Sequence, residues 1–242
     1  MTELLAHERL AVYAKALQFA AGGAALASVW KKKHAVVDQF LRAAESIVLN
    51  LAEAARLRTF GRLTTIDYAI GSSLECAACF DIARIKRLLD DAECQKEKGR
   101  LCEITKMLIG LRKAWAEPMA REEAEPFGRK SQQPLFHHEN LHVYRAALSF
   151  VEWFESWRAG MALRTVRHLD EWSTSIVLNI AEGNGRYAEL DNHRFLEMAQ
   201  SAAVKTAAYL DLHSYEAGRR SEVDITNGKQ ILREIVAMLR AM

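Results

Sequence analysis

Several residue groupings in this 242-residue chain have types and spacings that could do chemistry. His138-Glu139-Asn140-Leu141-His142 has the H-E-x-x-H spacing, in which two histidines one helical turn apart hold zinc and the glutamate serves as base. It falls where a linker meets a helix, and a related stretch near the N-terminus, His7-Glu8-Arg9-Leu10-Ala11, lacks the second histidine. His142 also lies within an ordinary amphipathic stripe beside Leu141 and Val143, so the pattern reads as coincidence and no metal is expected. Cys76-Ala77-Ala78-Cys79 is a C-x-x-C inside a helical stretch, and Cys94 and Cys102 follow without a second such pair. These cysteines read as small core residues rather than zinc or redox ligands. The di-iron arrangement of four-helix bundles needs Glu-x-x-His on two helices plus two further inward glutamates, a set the chain does not offer. With no glycine-rich phosphate loop and no Gly-x-Ser-x-Gly, the residues speak against an enzyme, and no cofactor is expected.

Two further patterns concern packing and binding. Ser46, Asn50 and Glu53 sit at i, i+4 and i+7 of an otherwise apolar helix, and Ser175, Asn179 and Glu182 repeat the arrangement. A polar stripe on an apolar helix must be hydrogen-bonded or paired, because a buried unsatisfied group costs about 1–3 kcal/mol. We read it as a network fixing helix register or a subunit contact. Basic residues cluster at three places, Lys31-Lys32-Lys33, then Arg56, Arg58 and Arg62, then Arg84, Lys86 and Arg87. Such clusters on one surface would suit bound phosphates, while singly they complement helix C-termini and solvate the surface.

The elements that must position these residues are helices. All three prolines (Pro118, Pro126, Pro134) lie in one charged, aperiodic stretch, and proline breaks a helix interior at a cost of about 3 kcal/mol. Residues 118–138 therefore read as a linker between a first domain, 1–117, and a second, 139–242. The two sides repeat one another: Ser46-Ile47-Val48-Leu49-Asn50-Leu51-Ala52-Glu53 differs from Ser175-Ile176-Val177-Leu178-Asn179-Ile180-Ala181-Glu182 at one position, and Leu10-x-Val12-Tyr13 matches Leu141-x-Val143-Tyr144. Apolar periodicity places helices near 6–28, 33–57, 62–90 and 92–116, then from Leu141, about 162–182, 190–215 and 221–240. Gly183-Asn184-Gly185 is read as a left-handed helix stop, and Gly71 at mid-helix as the site of a close helix approach. The expected fold is all-α, two tandem up-down-up-down four-helix bundles.

The first-helix Leu-x-Val-Tyr, the second-helix Ser-Ile-x-x-Asn-Ile-Ala-Glu-Gly-x-Gly-Arg (Ser175–Arg186) and the third-helix Ala69-x-Gly71-Ser72-x-x-Glu75 together resemble the four-helix-bundle family of ribosomal RNA intervening-sequence proteins. That family is related to the accessory variability proteins of diversity-generating retroelements. Each half keeps what the other has lost: the second-helix pattern is complete only in the second half, whereas Ser201, Ala202 and Lys205 stand in place of Gly71, Ser72 and Glu75. The resemblance implies ring-shaped homo-oligomers, binding of RNA and reverse transcriptase in the retroelement branch, and no catalysis.

The formal charge of +2 excludes a histone-like polycation, and it divides as +4 over residues 1–117 and −1 over each of 118–139 and 140–242. The absence of an ~18-residue apolar run, an N-terminus without a basic signal-peptide start and four unpatterned cysteines point to a cytoplasmic protein. The expected function is a non-enzymatic ribonucleoprotein accessory that binds RNA or a reverse transcriptase through the first half's basic surface. The alternative is a purely structural protein-interaction scaffold. A homo-oligomer with two chemically different faces is expected, either as stacked rings or with the two bundles paired within a chain.

Overall fold

The computed structural model describes residues 5–30, 34–57, 60–116, 136–159, 161–187, 189–217 and 222–242. Eight α-helices account for nearly all of them: α1 (Ala11–Ser28), α2 (Ala35–Arg56), α3 (Phe60–Ile85), α4 (Asp91–Ala116), α5 (His142–Trp157), α6 (Leu163–Asn184), α7 (Glu189–Ala217) and α8 (Glu222–Arg240). Short 3-10 turns at His7–Arg9 and His137–Asn140 lead into α1 and α5. Among the described residues no helix is long and apolar enough to cross a membrane.

Helices α1–α4 close one bundle, each packing on its sequence neighbour and α1 on α4, and α5–α8 close a second in the same way. The periodicity that predicts the helices is also what fills the cores. In α2, Phe40, Ala44, Ile47 and Leu51 face inward, and their counterparts in α6 are Leu169, Ser173, Ile176 and Ile180, all buried. Phe40 and Phe80 meet with ring centroids 5.0 Å apart, Phe19 standing edge-on to both, to form the first bundle's aromatic centre. Asp90 opens α4 as its N-cap, its Oδ1 accepting the Glu93 N–H at 2.8 Å, directly after Arg87 takes the left-handed conformation (φ 55°) that ends α3.

The bundles pack against each other. α6 lies against α3 and α2, and α5 touches α3, whereas α7 touches no helix of the first bundle among the described residues. Three expectations are corrected here. The chain is already folded at the end of the expected linker, because Phe136 and His138 are buried; most of the linker lies outside the described residues. α3 stops at Ile85, short of residue 90. Gly185 is right-handed (φ −88°), so it is no left-handed stop. A Cβ there would lie 2.2 Å from Leu74 Cδ1 across the seam, so any side chain at 185 would force Leu74 to move.

Candidate functional site

The polar stripes bind within their own helices first. Asn50 Nδ2 donates to the Ser46 carbonyl and hydroxyl, both at 2.9 Å, and Asn179 does the same to Ser175 at 2.8 and 3.0 Å. In the first bundle Ser46 also meets the Ser72 hydroxyl at 2.7 Å, tying α2 to α3. The two glutamates that end the stripes differ. Glu53 is half exposed and pairs with Arg56 at 2.6 Å, which holds its carboxyl below the usual carboxylate range. Glu182 is in the seam and pairs with Arg186, the last residue of the second-helix pattern.

Arg186 is where the two incomplete motifs meet. Its guanidinium crosses into the first bundle and lies directly over Gly71, where a Cβ would stand 3.0 Å from its Cζ. Tyr68 of α3 and Phe195 of α7 flank it, at 4.8 and 4.7 Å from the guanidinium carbon to the ring centroids. Glu75, one turn further along α3, is pushed up to about 8 by burial and then by the Glu182 carboxylate, with Arg42 and Arg186 pulling it partly back. Gly71 thus accommodates an arginine from the other bundle rather than a neighbouring helix backbone. Arg112 extends the contact, pairing with Asp67 and stacking 3.8 Å from the Tyr187 ring.

Two other clusters combine carboxylates with a histidine close enough to hold a cation, His34–Glu155–Asp170 and Asp81–His138–Glu139. In each, a lysine ammonium already occupies that role. Lys86 Nζ lies 3.0 Å from Glu155 and closer to Asp170, with no side-chain exposure, and Asp170 also accepts the Ala35 N–H at 2.8 Å. Burial alone would raise Asp170, but His34, Lys86 and the Ala35 N–H hold it down near 2. Lys98 Nζ pairs with Asp81 at 2.8 Å and with Glu139, and Tyr144 donates to the other Asp81 oxygen at 2.8 Å. Burial alone would lower Lys98, but the two carboxylates hold it above its ordinary value. His138 is buried between Phe136 and Tyr144 and is pushed down to about 3, first by burial and then by Lys98, which leaves it neutral. His142 is exposed at the start of α5, so the H-E-x-x-H histidines do not converge. All four cysteines are buried and none is in a disulfide, and burial pushes the Cys76 and Cys79 thiols up.

Among the described residues, the basic clusters do not form one surface. Lys31, Lys32, Lys33 and Arg58 lie outside the described residues. Arg56 ends α2 and Arg62 stands in the first turn of α3, whereas Arg84 and Arg87 stand at the far end of α3, with Arg62 and Arg84 ~33 Å apart along the helix. Arg62 caps α2, donating to the Ala54 and Ala55 carbonyls at 3.2 and 3.4 Å, and lies 4.5 Å from the Trp115 ring centroid. Lys86 is corrected outright as a phosphate ligand, because it is buried and neutralised by Asp170 and Glu155. Arg84 and Arg87 remain exposed and line a groove of about 580 Å³ with Arg158, which belongs to none of the three sequence clusters. Arg158 follows α5 directly and is a lone cation in sequence, so only the packing of the two bundles gives it arginine neighbours.

The architecture is that of an all-α protein of two four-helix bundles, joined through an arginine-in-glycine contact and two buried lysine clusters. Residues 8–110, which span most of the first bundle, match the model of the 23S rRNA-intervening sequence protein family, the family that the motifs resemble. No curated protein and no solved structure matches the chain.

Proposed function

We propose that the protein is a non-enzymatic ribonucleoprotein accessory that binds RNA in the seam groove formed by Arg84, Arg87 and Arg158. The observation that carries this reading is the convergence of three partly or fully exposed arginines from two bundles on one groove. The family's description, which names 23S rRNA, supports RNA over other polyanions. Arg84 holds Asp91 only loosely, at 3.5 Å, and Arg158 leans on Glu155 at 3.0 Å, so a phosphate can compete for both. The two acid–histidine clusters are filled by lysines, which makes them structural and supports the non-enzymatic reading. A reverse transcriptase encoded beside the gene would add a protein partner to the same reading.

The test is a salt series with a structured 23S rRNA fragment. Changing Arg84, Arg87 and Arg158 together to glutamine should weaken binding and flatten the salt dependence, by roughly one unit of log–log slope for each phosphate neutralised by the native arginines. Unchanged affinity and slope would remove the groove from the reading. Absence of binding by the unaltered protein would favour the scaffold alternative, for which the tight seam is the supporting observation.

A further inference from the structure

The contact between the bundles is head-to-tail. The second bundle offers α6 and α5, and the first receives them on α3 and α2. A two-fold contact would also bring α7 against α2 or α1, and among the described residues it does neither. A heterologous contact uses two different faces, so it leaves one of each unused and could in principle repeat from chain to chain. The unused faces are the C-terminal part of α2 from Leu49 on, counterpart of the stretch of α6 that leads to Arg186, and α7 of the second bundle, counterpart of α3. The register between counterparts is secure in α3 and α7, where Ile66, Ala69, Ser73, Cys76 and Phe80 and their counterparts Leu196, Ala199, Ala203, Thr206 and Leu210 are all buried.

We infer that this chain caps the contact: both unused faces carry substitutions at the positions that make the seam, so the seam forms once, inside the chain, and does not propagate. On the α2 face Arg56 stands in place of Gly185, where even a Cβ would meet Leu74, and Leu57 stands in place of Arg186. On the α7 face Ser201 replaces Gly71 and would fill the space the guanidinium needs, while Lys205 replaces Glu75 and would repel an arginine. The knob and the hole are both gone, each from the half that does not use it. Exposure follows the same division: Leu178 is 4% exposed and Leu74 7%, but their counterparts Leu49 and Val204 are 67% and 49%. Those apolar residues are what remains of a face without the glycine and the arginine that would close it. This inference runs against the self-assembly that the family resemblance implies, and it does not depend on RNA binding.

The experiment restores the missing parts in the full-length chain. The variant Arg56→Gly/Leu57→Arg/Ser201→Gly/Lys205→Glu should sediment at no less than twice the mass of the unaltered protein, in a concentration-dependent way, with helicity unchanged by circular dichroism. A single charge on the α7 face, Val204→Asp in the otherwise unaltered chain, serves as the partner measurement. That change should leave the sedimentation as it was, whatever the protein's state. Loss of an assembly on Val204→Asp would overturn the proposal, because it would show the α7 face in use. A folded four-residue variant that sediments like the unaltered protein would overturn it too, because those residues would not be what stops propagation.

Discussion

Two of the contacts that hold the seam between the bundles are built on opposite rules. At the Arg186 contact a cation of the second bundle enters a space that the first bundle leaves open at Gly71, and aromatic rings cover it. At the Lys86 contact a cation of the first bundle is drawn among carboxylates of the second, Asp170 and Glu155. The two lie ~22 Å apart along α3, at 1.5 Å per residue. The first depends on shape and resists added atoms, whereas the second depends on charge balance and resists the loss of a partner. Together they fix both the register and the rotation of one bundle on the other. Buried ion pairs contribute little net stability, but removing one partner strands the rest.

The largest effect should therefore come from the charge contact. Lys86→Met strips buried Asp170 of its ammonium and leaves Glu155 with Arg158 alone, and should cost about 3–5 kcal/mol in urea unfolding. Lys86→Met combined with Asp170→Leu should recover much of it. If the single variant is as stable as the unaltered protein, the contrast between the two contacts fails at this end.

The shape contact should give a smaller effect. Gly71→Val places methyl groups where the Arg186 guanidinium lies, at an overpacking cost of about 1–3 kcal/mol. In a background of Arg186→Ala the same valine should cost far less, since the space is then empty. Additive losses in that double-mutant cycle would show that Gly71 and Arg186 are not coupled.

What the sequence disclosed follows the same division. The helices, the two bundles and the stripe asparagines were legible because periodicity and repetition report local structure. The motif glycine and arginine were visible as residues, but their partnership was not, because Gly71 and Arg186 lie in different bundles and neither half carries the complete pattern. Lys86 was misread as a surface cation because Arg84 and Arg87 beside it are surface cations. The overlooked signal lay in the acids: Asp81 interrupts the apolar run Cys79-Phe80-Asp81-Ile82, and Asp170 stands where the first half has Leu41. An acid on an apolar helix face requires a cation, and its partners here are Lys98 for Asp81 and Lys86 for Asp170.

The smallest effect concerns whether charge enters the shape contact at all, through Glu75. Its pKa is raised from 4.5 to about 8 in the folded protein by burial and by Glu182, so between those values the folded state holds a proton that the unfolded chain has released. The stability this contributes is fully present below pH 4.5 and is lost as pH rises toward 8, with a slope of up to about 1.4 kcal/mol per pH unit. Glu182, also raised by burial, adds to the decline in the same direction. Glu75→Gln cannot ionise and keeps the neutral shape of the protonated acid, so urea midpoints measured from pH 6 to 8.5 should fall less steeply than in the unaltered protein. Equal slopes would mean that Glu75 is already ionised in the folded protein, its charge balanced by Arg42 and Arg186. The seam would then hold a compensated carboxylate at both ends, and the contrast with Lys86 would rest on the Gly71 space alone.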